Sequence, residues 1–163
     1  MSRCSSVAEQ LFRKQQVGGS NPPVGSTFGR NAMSGLNNHQ IELLKEPHIA
    51  QFVTLMDDGS PQISPVWIDT DGANVLINSA LGRLKTNNIG RDSRVAVGLY
   101  DPENAYSRVI NITGTVIEIK QEGADEHINF LAKKYLNTER YEGRNILETR
   151  VIIVIKPDRI TGI

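Results

Sequence analysis

Residues 75–89 read VLINSALGRLKTNNI, in which an apolar strand runs through small polar residues and a glycine into a helix that begins with cations. The glycine lets the backbone approach a ligand closely. Arg83 and Lys85 put positive charge at the start of the helix, and Asn78 and Ser79 add neutral hydrogen-bonding groups. Because free N–H groups at a helix start and nearby cations both attract anions, the stretch predicts a site for an anionic group. The alternative interpretation is an ordinary solvated helix start.

The bulk composition limits the classes of protein to consider. The chain has 163 residues, 39% apolar and 22% charged, which suits one globular domain. The formal net charge is zero, whereas a general nucleic-acid or membrane-surface role favours a basic excess. No apolar run long enough to span a membrane and no signal-peptide pattern is visible. Cys4 is the one cysteine, so no internal disulfide can form, and we expect a cytoplasmic location.

Residues 1–32 lack any sustained period and end in a stretch rich in Gly, Pro and Ser, which is typical of disorder. The segment also resembles an accidental translation of a transfer-RNA gene, because residues 19–22, GSNP, are what a T-arm sequence would encode. We therefore expect a disordered or spurious extension, with Met33 as the native start. A genuine disordered arm is the alternative. The predicted domain spans residues 33–163.

The remaining chain alternates short apolar segments with turn signals, which predicts a mainly β fold: a small antiparallel barrel with flanking helices, and not a Rossmann fold. Asn38 is expected to cap the first helix, Gly114 to mark a bulge in a long strand, and Pro157 to stop the last strand. The apolar run 151–155 indicates a strand covered on both faces, the second cover being another copy of the chain. The expected strands are 51–56, 62–68, 74–78, 95–100, 107–120 and 151–155, and the expected helices are 38–45, 84–90 and 125–136.

A second candidate site lies at Ser64-Pro65-Val66-Trp67. Pro65 removes one ladder hydrogen bond, so this strand is expected at an edge or a bulge, where a planar ring could take the free backbone groups. Val66 and Trp67 would then form apolar walls. The alternative is a bulged edge with Trp67 in the core.

The chain shows no recognised catalytic or metal-binding motif. His39, His48 and His127 have no Cys or carboxylate at ligand spacing, so we expect surface or capping roles and no metal site. The sequence contains no G-x-S-x-G motif, P-loop or G-x-G-x-x-G motif. No catalytic residue is therefore predicted.

These motifs, in this order, resemble the pyridoxamine 5′-phosphate oxidase-like (PPOX-class) FMN-binding split-barrel superfamily, and within it the branch that uses the deazaflavin coenzyme F420. The chain lacks the longer basic phosphate motif of the FMN oxidases, which favours the deazaflavin branch. The segments that carry the resemblance are Phe52–Leu55, Asp58–Pro61, Ser64–Trp67, Ser79, Arg83–Lys85, Asn88–Ile89, Arg94–Val97, Gly114–Val116 and Ala132–Tyr135.

The resemblance implies a homodimer that holds its cofactor between the two chains and transfers hydride between F420 and a small unsaturated organic acceptor. It implies that Ser64, Pro65, Val66 and Trp67 run beside the ring, and that the strand near 109–111 approaches the partner's cofactor. It also places Ser79, Arg83, Lys85 and Asn88 at the ribityl-phosphate part, with Asn78 as a further neutral contact. The alternatives are an FMN-dependent oxidoreductase, a non-catalytic flavin- or deazaflavin-binding protein, and a barrel-like interaction module without a cofactor.

Overall fold

The computed structural model describes residues 35–143 and 147–162, so the predicted extension of residues 1–32 lies outside the described part. Within that part, the elements follow one another largely as the sequence predicts. None of the described helices is long and apolar enough to cross a membrane. The helices are α1 (Asn38–Lys45), α2 (Leu84–Arg91) and α3 (Ala124–Leu136), and the strands are β1 (Ala50–Leu55), β2 (Pro61–Val66), β3 (Ile68–Thr70), β4 (Val75–Ala80), β5 (Arg94–Tyr100), β6 (Val109–Lys120) and β7 (Arg150–Gly162).

The described strands form one antiparallel sheet in the order β2-β1-β5-β6-β7-β4-β3. β2 and β3 lie at opposite edges of this sheet, yet only Trp67 separates them along the chain. Because neighbouring Cα atoms are about 3.8 Å apart, edges that are joined by one residue must lie close together. The sheet is therefore curled into a half-barrel with a seam at Trp67, which confirms the predicted mainly β split barrel. Pro65 lies on the edge strand β2, as predicted.

The half-barrel encloses the main aliphatic core, and α1 closes one end of it with Leu43 and Leu44. Each of these fully buried leucines contributes about 1.5–3 kcal/mol through burial. The N-cap of α1 is Asn37, one residue before the predicted Asn38. The side chain of Asn37 accepts from the Gln40 N–H at 2.9 Å, and the side chain of Gln40 accepts from the Asn37 N–H at 3.0 Å. This capping box fixes the start of the helix.

The run Val151–Ile155 is buried on both faces, as its sequence predicts, but the second cover is not another copy of the chain. Ile153 and Ile155 belong to the core inside the half-barrel, whereas Ile152 and Val154 pack with Ala124 at the start of α3. Successive side chains of a strand point to opposite faces. The helix α3 therefore supplies the cover that the sequence interpretation assigned to a partner.

Pro157 does not stop the last strand, because β7 continues to Gly162. The ladder with β6 passes from the pair Thr113–Arg159 to the pair Gly114–Pro157, so Asp158 is the extra residue of a bulge. A bulge tolerates the missing N–H of a proline. Gly114 lies at this bulge, as predicted, and a Cβ atom there would meet the Lys156 carbonyl oxygen at 2.5 Å.

Candidate functional site

A pocket of about 320 Å³ opens at the seam of the half-barrel, and we call it the seam pocket. It joins the two segments that the sequence singled out, because the Pro65–Trp67 segment and the α2 start both line it. The apolar wall and the cationic wall come from residues far apart along the chain. The lining residues are Ile49, Pro65, Val66, Trp67, Asn78, Arg83, Lys85, Ile128, Tyr141 and Arg150.

The cations Arg83 and Lys85 lie on either side of the first residue of α2 and differ in their partners. The guanidinium of Arg83 bonds the Glu148 carboxylate at 2.7 Å and is 43% exposed. No hydrogen bond or ion pair within the described residues engages the ammonium of Lys85. Burial lowers the pKa of Lys85 below its usual 10.5, and the neighbouring charge of Arg83 lowers it further. Of this pair, Lys85 is therefore the cation whose charge the described residues leave without an internal partner.

The start of α2 is held in place by Thr86, one residue beyond Lys85. Its hydroxyl lies 3.0 Å from the carbonyl oxygen of Ala80 and 2.7 Å from that of Arg83. The first contact reaches back to the end of β4, and the second lies within the turn itself. Thr86 therefore ties the cation-bearing turn to the strand that supplies Asn78.

Arg150, at the beginning of β7, also lines the seam pocket, and sequence reasoning missed it. Its side chain is only 5% exposed. Its Nη1 donates to the side-chain oxygen of Asn78 at 3.4 Å, and its guanidinium carbon lies 5.0 Å from the ring centre of Tyr141. Its Nη2 lies 3.9 Å from Glu148 and has no hydrogen-bond partner in the part of the chain that the structure describes. A single arginine before an apolar strand carries no local signal, and its partner Asn78 is far away in the sequence.

The aromatic wall of the seam pocket is built on Trp67. One face of its ring stacks on Tyr135 with a centroid distance of 5.1 Å, and Tyr141 meets it edge-on at 5.6 Å. The Tyr135 hydroxyl donates to the carbonyl oxygen of His48 at 2.8 Å and accepts from the Ile68 N–H at 3.1 Å. Burial raises the pKa of Tyr135 to about 12. Trp67 is thus held by a neutral, hydrogen-bonded tyrosine.

Three predicted contact residues, Ser64, Ser79 and Asn88, do not line this pocket. Asn88 is buried and donates to the Thr54 hydroxyl at 3.0 Å, and Thr54 donates to Gln62 at the same distance. Gln62 in turn donates to the Ser64 hydroxyl at 2.8 Å. Ser79 lies on the opposite face of β4 from Asn78, because side chains alternate along a strand. Its buried hydroxyl finds no hydrogen-bond partner among the residues that the structure describes.

The structure changes the interpretation of His127, which was predicted to have a surface or capping role. Its side chain is only 9% exposed, its Nε2 lies 3.6 Å from Asp69, and its Nδ1 lies 3.5 Å from the Asn78 amide nitrogen. The helical period of α3 turns it inward toward β3 and β4. The His127 ring therefore lies against the Asn78 side chain.

The histidines His39 and His48 remain outside the pocket. His39 is exposed, as predicted, whereas His48 is mostly buried and bonds Glu46 at 2.9 Å. Glu46, His48 and Asp101 could offer metal ligands, since their ligating atoms lie within 4.8 Å of one another. However, Arg108 donates to both carboxylates, at 2.5 and 2.7 Å. The guanidinium supplies the positive charge between them.

Comparison with known proteins connects this geometry to a family. Residues 36–163 match the family model of pyridoxamine 5′-phosphate oxidase. A solved F420 reductase is 28% identical, with 74% of this chain and 94% of that chain covered and a TM-score of 0.67. HupZ of Group A Streptococcus, at 22% identity, is covered over 91% of its length and covers 77% of this chain with a TM-score of 0.56. A search of curated proteins found no match.

A conserved hypothetical protein from Mycobacterium tuberculosis also shares the fold, with 18% identity, 81% of this chain and 88% of that chain covered, and a TM-score of 0.60. The last two similarities concern the fold alone. The family model, in contrast, matches well over half of the chain and includes every residue that lines the seam pocket. The chain therefore belongs to the pyridoxamine 5′-phosphate oxidase family, within the PPOX split-barrel superfamily.

Proposed function

We propose that this protein is an F420-dependent oxidoreductase, a reductase that transfers hydride between the deazaflavin and a small unsaturated organic acceptor. The observation that carries the proposal is the seam pocket, which sets an apolar wall at Pro65, Val66 and Trp67 beside the cations Arg83 and Lys85. A tricyclic ring with an anionic tail needs both kinds of surface. The 28% identity to an F420 reductase supports the deazaflavin over other ring cofactors.

The residues present fit such a group. Lys85 has no partner among the described residues, and the Nη2 of Arg150 is a buried donor that makes no hydrogen bond within them, so both side chains bring donors to the pocket that the described residues leave unused. We assign the anionic tail to Arg83 and Lys85, and the ring to the segment Pro65–Trp67. When bound, the deazaflavin ring supplies the hydride chemistry.

The chain's own contribution is binding, orientation and exclusion of water. Among the described residues, none that lines the seam pocket is a carboxylate or a histidine. The Asn78 side chain accepts from Arg150 and donates to the Ala124 carbonyl oxygen at 2.7 Å, which holds the polar wall rigid. Rigid walls fix the ring relative to the acceptor, which is the main task of a protein whose cofactor carries the chemistry.

A homodimer forms part of the proposal. The seam pocket, at about 320 Å³, is small for a ligand pocket, the usual range being roughly 300–1,000 Å³, so a second chain would complete it. The outward face of the sheet provides a surface for that chain. Ile63 is 60% exposed there, and a broad cavity of about 670 Å³ runs across β1, β2, β5, β6 and β7.

A titration of the purified protein with F420, followed by its fluorescence, tests the proposal, and a parallel titration uses FMN. We expect saturable F420 binding at micromolar concentration or below, and strongly weakened binding in the double variant Arg83→Ala/Lys85→Ala. Absence of F420 binding at micromolar concentration would refute the F420 assignment. Oxidation of reduced F420 by a panel of enones and quinones then tests the reaction, because tight binding without turnover would indicate a carrier.

FMN is the second candidate cofactor, because the matching family model is that of pyridoxamine 5′-phosphate oxidase and the superfamily that the sequence resembles binds FMN. A yellow purified protein with flavin absorbance, or FMN binding much tighter than F420 binding, would assign an FMN-dependent oxidoreductase to the same pocket.

A further inference from the structure

Arg150 is a buried cation in the described part of the chain whose guanidinium is only partly hydrogen-bonded. Its side chain is only 5% exposed, and the Nη2 of its guanidinium has no hydrogen-bond partner among residues 35–143 and 147–162. The other contacts leave this nitrogen unused. The Asn78 side chain accepts a hydrogen bond from Nη1 at 3.4 Å, and the ring of Tyr141 lies against the guanidinium carbon. Glu148 lies 3.9 Å from Nη2, which is beyond hydrogen-bond distance.

A buried charged donor without a partner destabilises a fold, and such groups are normally paired. The unpaired nitrogen belongs to a side chain that lines the seam pocket, together with Lys85, which also has no partner among the described residues. A ligand that brings anionic oxygens into the pocket enters a space that both of these cationic side chains line. An arginine presents several N–H groups in a plane, an arrangement that suits phosphate oxygens.

We infer that Arg150 is an anion-binding residue of the seam pocket, which takes a phosphate group of the ligand through its Nη2 together with Lys85, and that Glu148 limits the positive charge of this subsite. The inference rests on the proposed function, in that the phosphate is assigned to the same cofactor. It adds a residue that neither the sequence motif nor the α2 start provides.

The charges around the pocket support a role for Glu148. Arg83, Lys85 and Arg150 carry three positive charges, and Glu148, which bonds Arg83 at 2.7 Å, carries one negative charge, so two positive charges remain for the ligand. Glu148 lies between the two guanidinium groups. Removal of its charge should therefore strengthen phosphate binding, whereas removal of Arg150 should weaken it.

The competing explanation is that Arg150 only stabilises the start of β7 and does not bind the ligand. The variant Arg150→Met separates the two, because methionine keeps an unbranched apolar stem and removes the charge. If the role of Arg150 is only structural, Arg150→Met should have a lower melting temperature without ligand and an unchanged response to ligand. A binding residue whose Nη2 donor is unused in the ligand-free protein predicts an unchanged or higher melting temperature and a lost response to ligand.

The experiment measures the melting temperature of the full chain at constant ionic strength, with inorganic phosphate replacing chloride, and the dissociation constants of F420 and FMN. The variants are Arg150→Met, Arg150→Lys, Glu148→Gln and the matched control Arg94→Met, which changes an exposed arginine paired with Asp92. We expect Arg150→Met to abolish the phosphate shift and weaken binding of whichever cofactor binds by about 10- to 150-fold. Glu148→Gln should tighten binding by about two- to fivefold, and Arg94→Met should match the wild type.

Each outcome decides the matter. Wild-type affinity in Arg150→Met overturns the inference while leaving the proposed function intact. A phosphate shift that needs Arg150, without binding of either cofactor, supports the anion site and overturns the proposed function. No response of the wild type to phosphate, F420 or FMN overturns both. If Arg150→Met fails to fold, Arg150→Lys and Glu148→Gln decide: weaker binding in the first with tighter binding in the second supports the inference, and any other combination overturns it.

Discussion

The replacement of Lys85 by methionine tests the cationic wall of the seam pocket most directly. Methionine keeps most of the apolar stem of lysine and removes only its charge and its donors. The Lys85 ammonium has no partner among the described residues, so the change breaks no internal contact that the structure shows. The ligand-free protein should therefore keep its stability, and the effect should fall on binding.

The expected loss follows from the kind of contact. A hydrogen bond to a charged group contributes about 1.5–3 kcal/mol. Since about 1.4 kcal/mol corresponds to a factor of ten, the dissociation constant of F420 should rise by about 10- to 150-fold. Salt should reduce this difference, because part of the contact is electrostatic and open to solvent.

The pH dependence gives a second signature. Burial, and then the neighbouring charge of Arg83, lower the pKa of Lys85 below 10.5, so this ammonium loses its proton earlier than an ordinary lysine as the pH rises. Deprotonation removes the charge that the anion needs. The wild-type dissociation constant should therefore rise at alkaline pH toward that of Lys85→Met, which itself should change little.

The assay is a fluorescence titration with F420 at several pH values, for the wild type, for Lys85→Met and for the matched control Lys133→Met. Lys133 lies on α3, is 62% exposed and pairs with Glu139 outside the pocket. Equal losses in both variants would show a general charge effect. Identical affinities of the wild type and Lys85→Met, or a ratio that stays constant up to alkaline pH, would refute the reasoning.

Three further predictions concern stability and assembly. Gly114→Ala should lower the free energy of unfolding by about 1–3 kcal/mol, because the new Cβ would lie 2.5 Å from a carbonyl oxygen. Gly90→Ala in α2 should raise the free energy of unfolding by about 0.5–1 kcal/mol, because its new Cβ would meet no atom within 4 Å. Urea denaturation measures both changes. Burial lowers the pKa of Lys134 to about 8, so between about pH 8 and 10 the unfolded chain binds more protons than the folded one. The free energy of unfolding of the wild type relative to that of Lys134→Met should therefore rise over this pH range, and a flat difference would contradict the assignment. Ile63→Glu should convert the proposed dimer to monomers in analytical ultracentrifugation, and an unchanged molar mass would show that this face lies outside the interface.

The order and type of the elements could be predicted because local signals carry them. β-branched runs, the Asp–Gly turn and the apolar stripe of α3 each act within a few residues. Two of the fold errors, those at Pro157 and at the second face of β7, have non-local causes. Pro157 is tolerated only because β6 places Gly114 opposite a bulge, and the second face of β7 is covered by α3, which packs there with Ala124.

The residues of the candidate site also divide into those that local motifs predict and those that only non-local contacts place. Trp67, Arg83 and Lys85 belong to local motifs and do line one pocket. Arg150 lies far from any motif, and only the ladder between β4 and β7 places it beside Asn78. Ser79 is buried outside the pocket because side chains alternate along β4, and Asn88 because it lies on the inward face of α2. A single sequence cannot show either without the register of the strands.

The adjacent residues Lys134 and Tyr135 have a consequence for how the pocket forms during folding. Lys134 donates at 2.7 Å to the carbonyl oxygens of Leu44 and Ile68, which are 90 and 66 residues away, and Tyr135 reaches His48 across 87 residues. Contacts with such large sequence separations close late, after their loops have been ordered. Trp67 is the only tryptophan of the chain and stacks on Tyr135, so its fluorescence should report this final docking of α3 and the completion of the pocket wall.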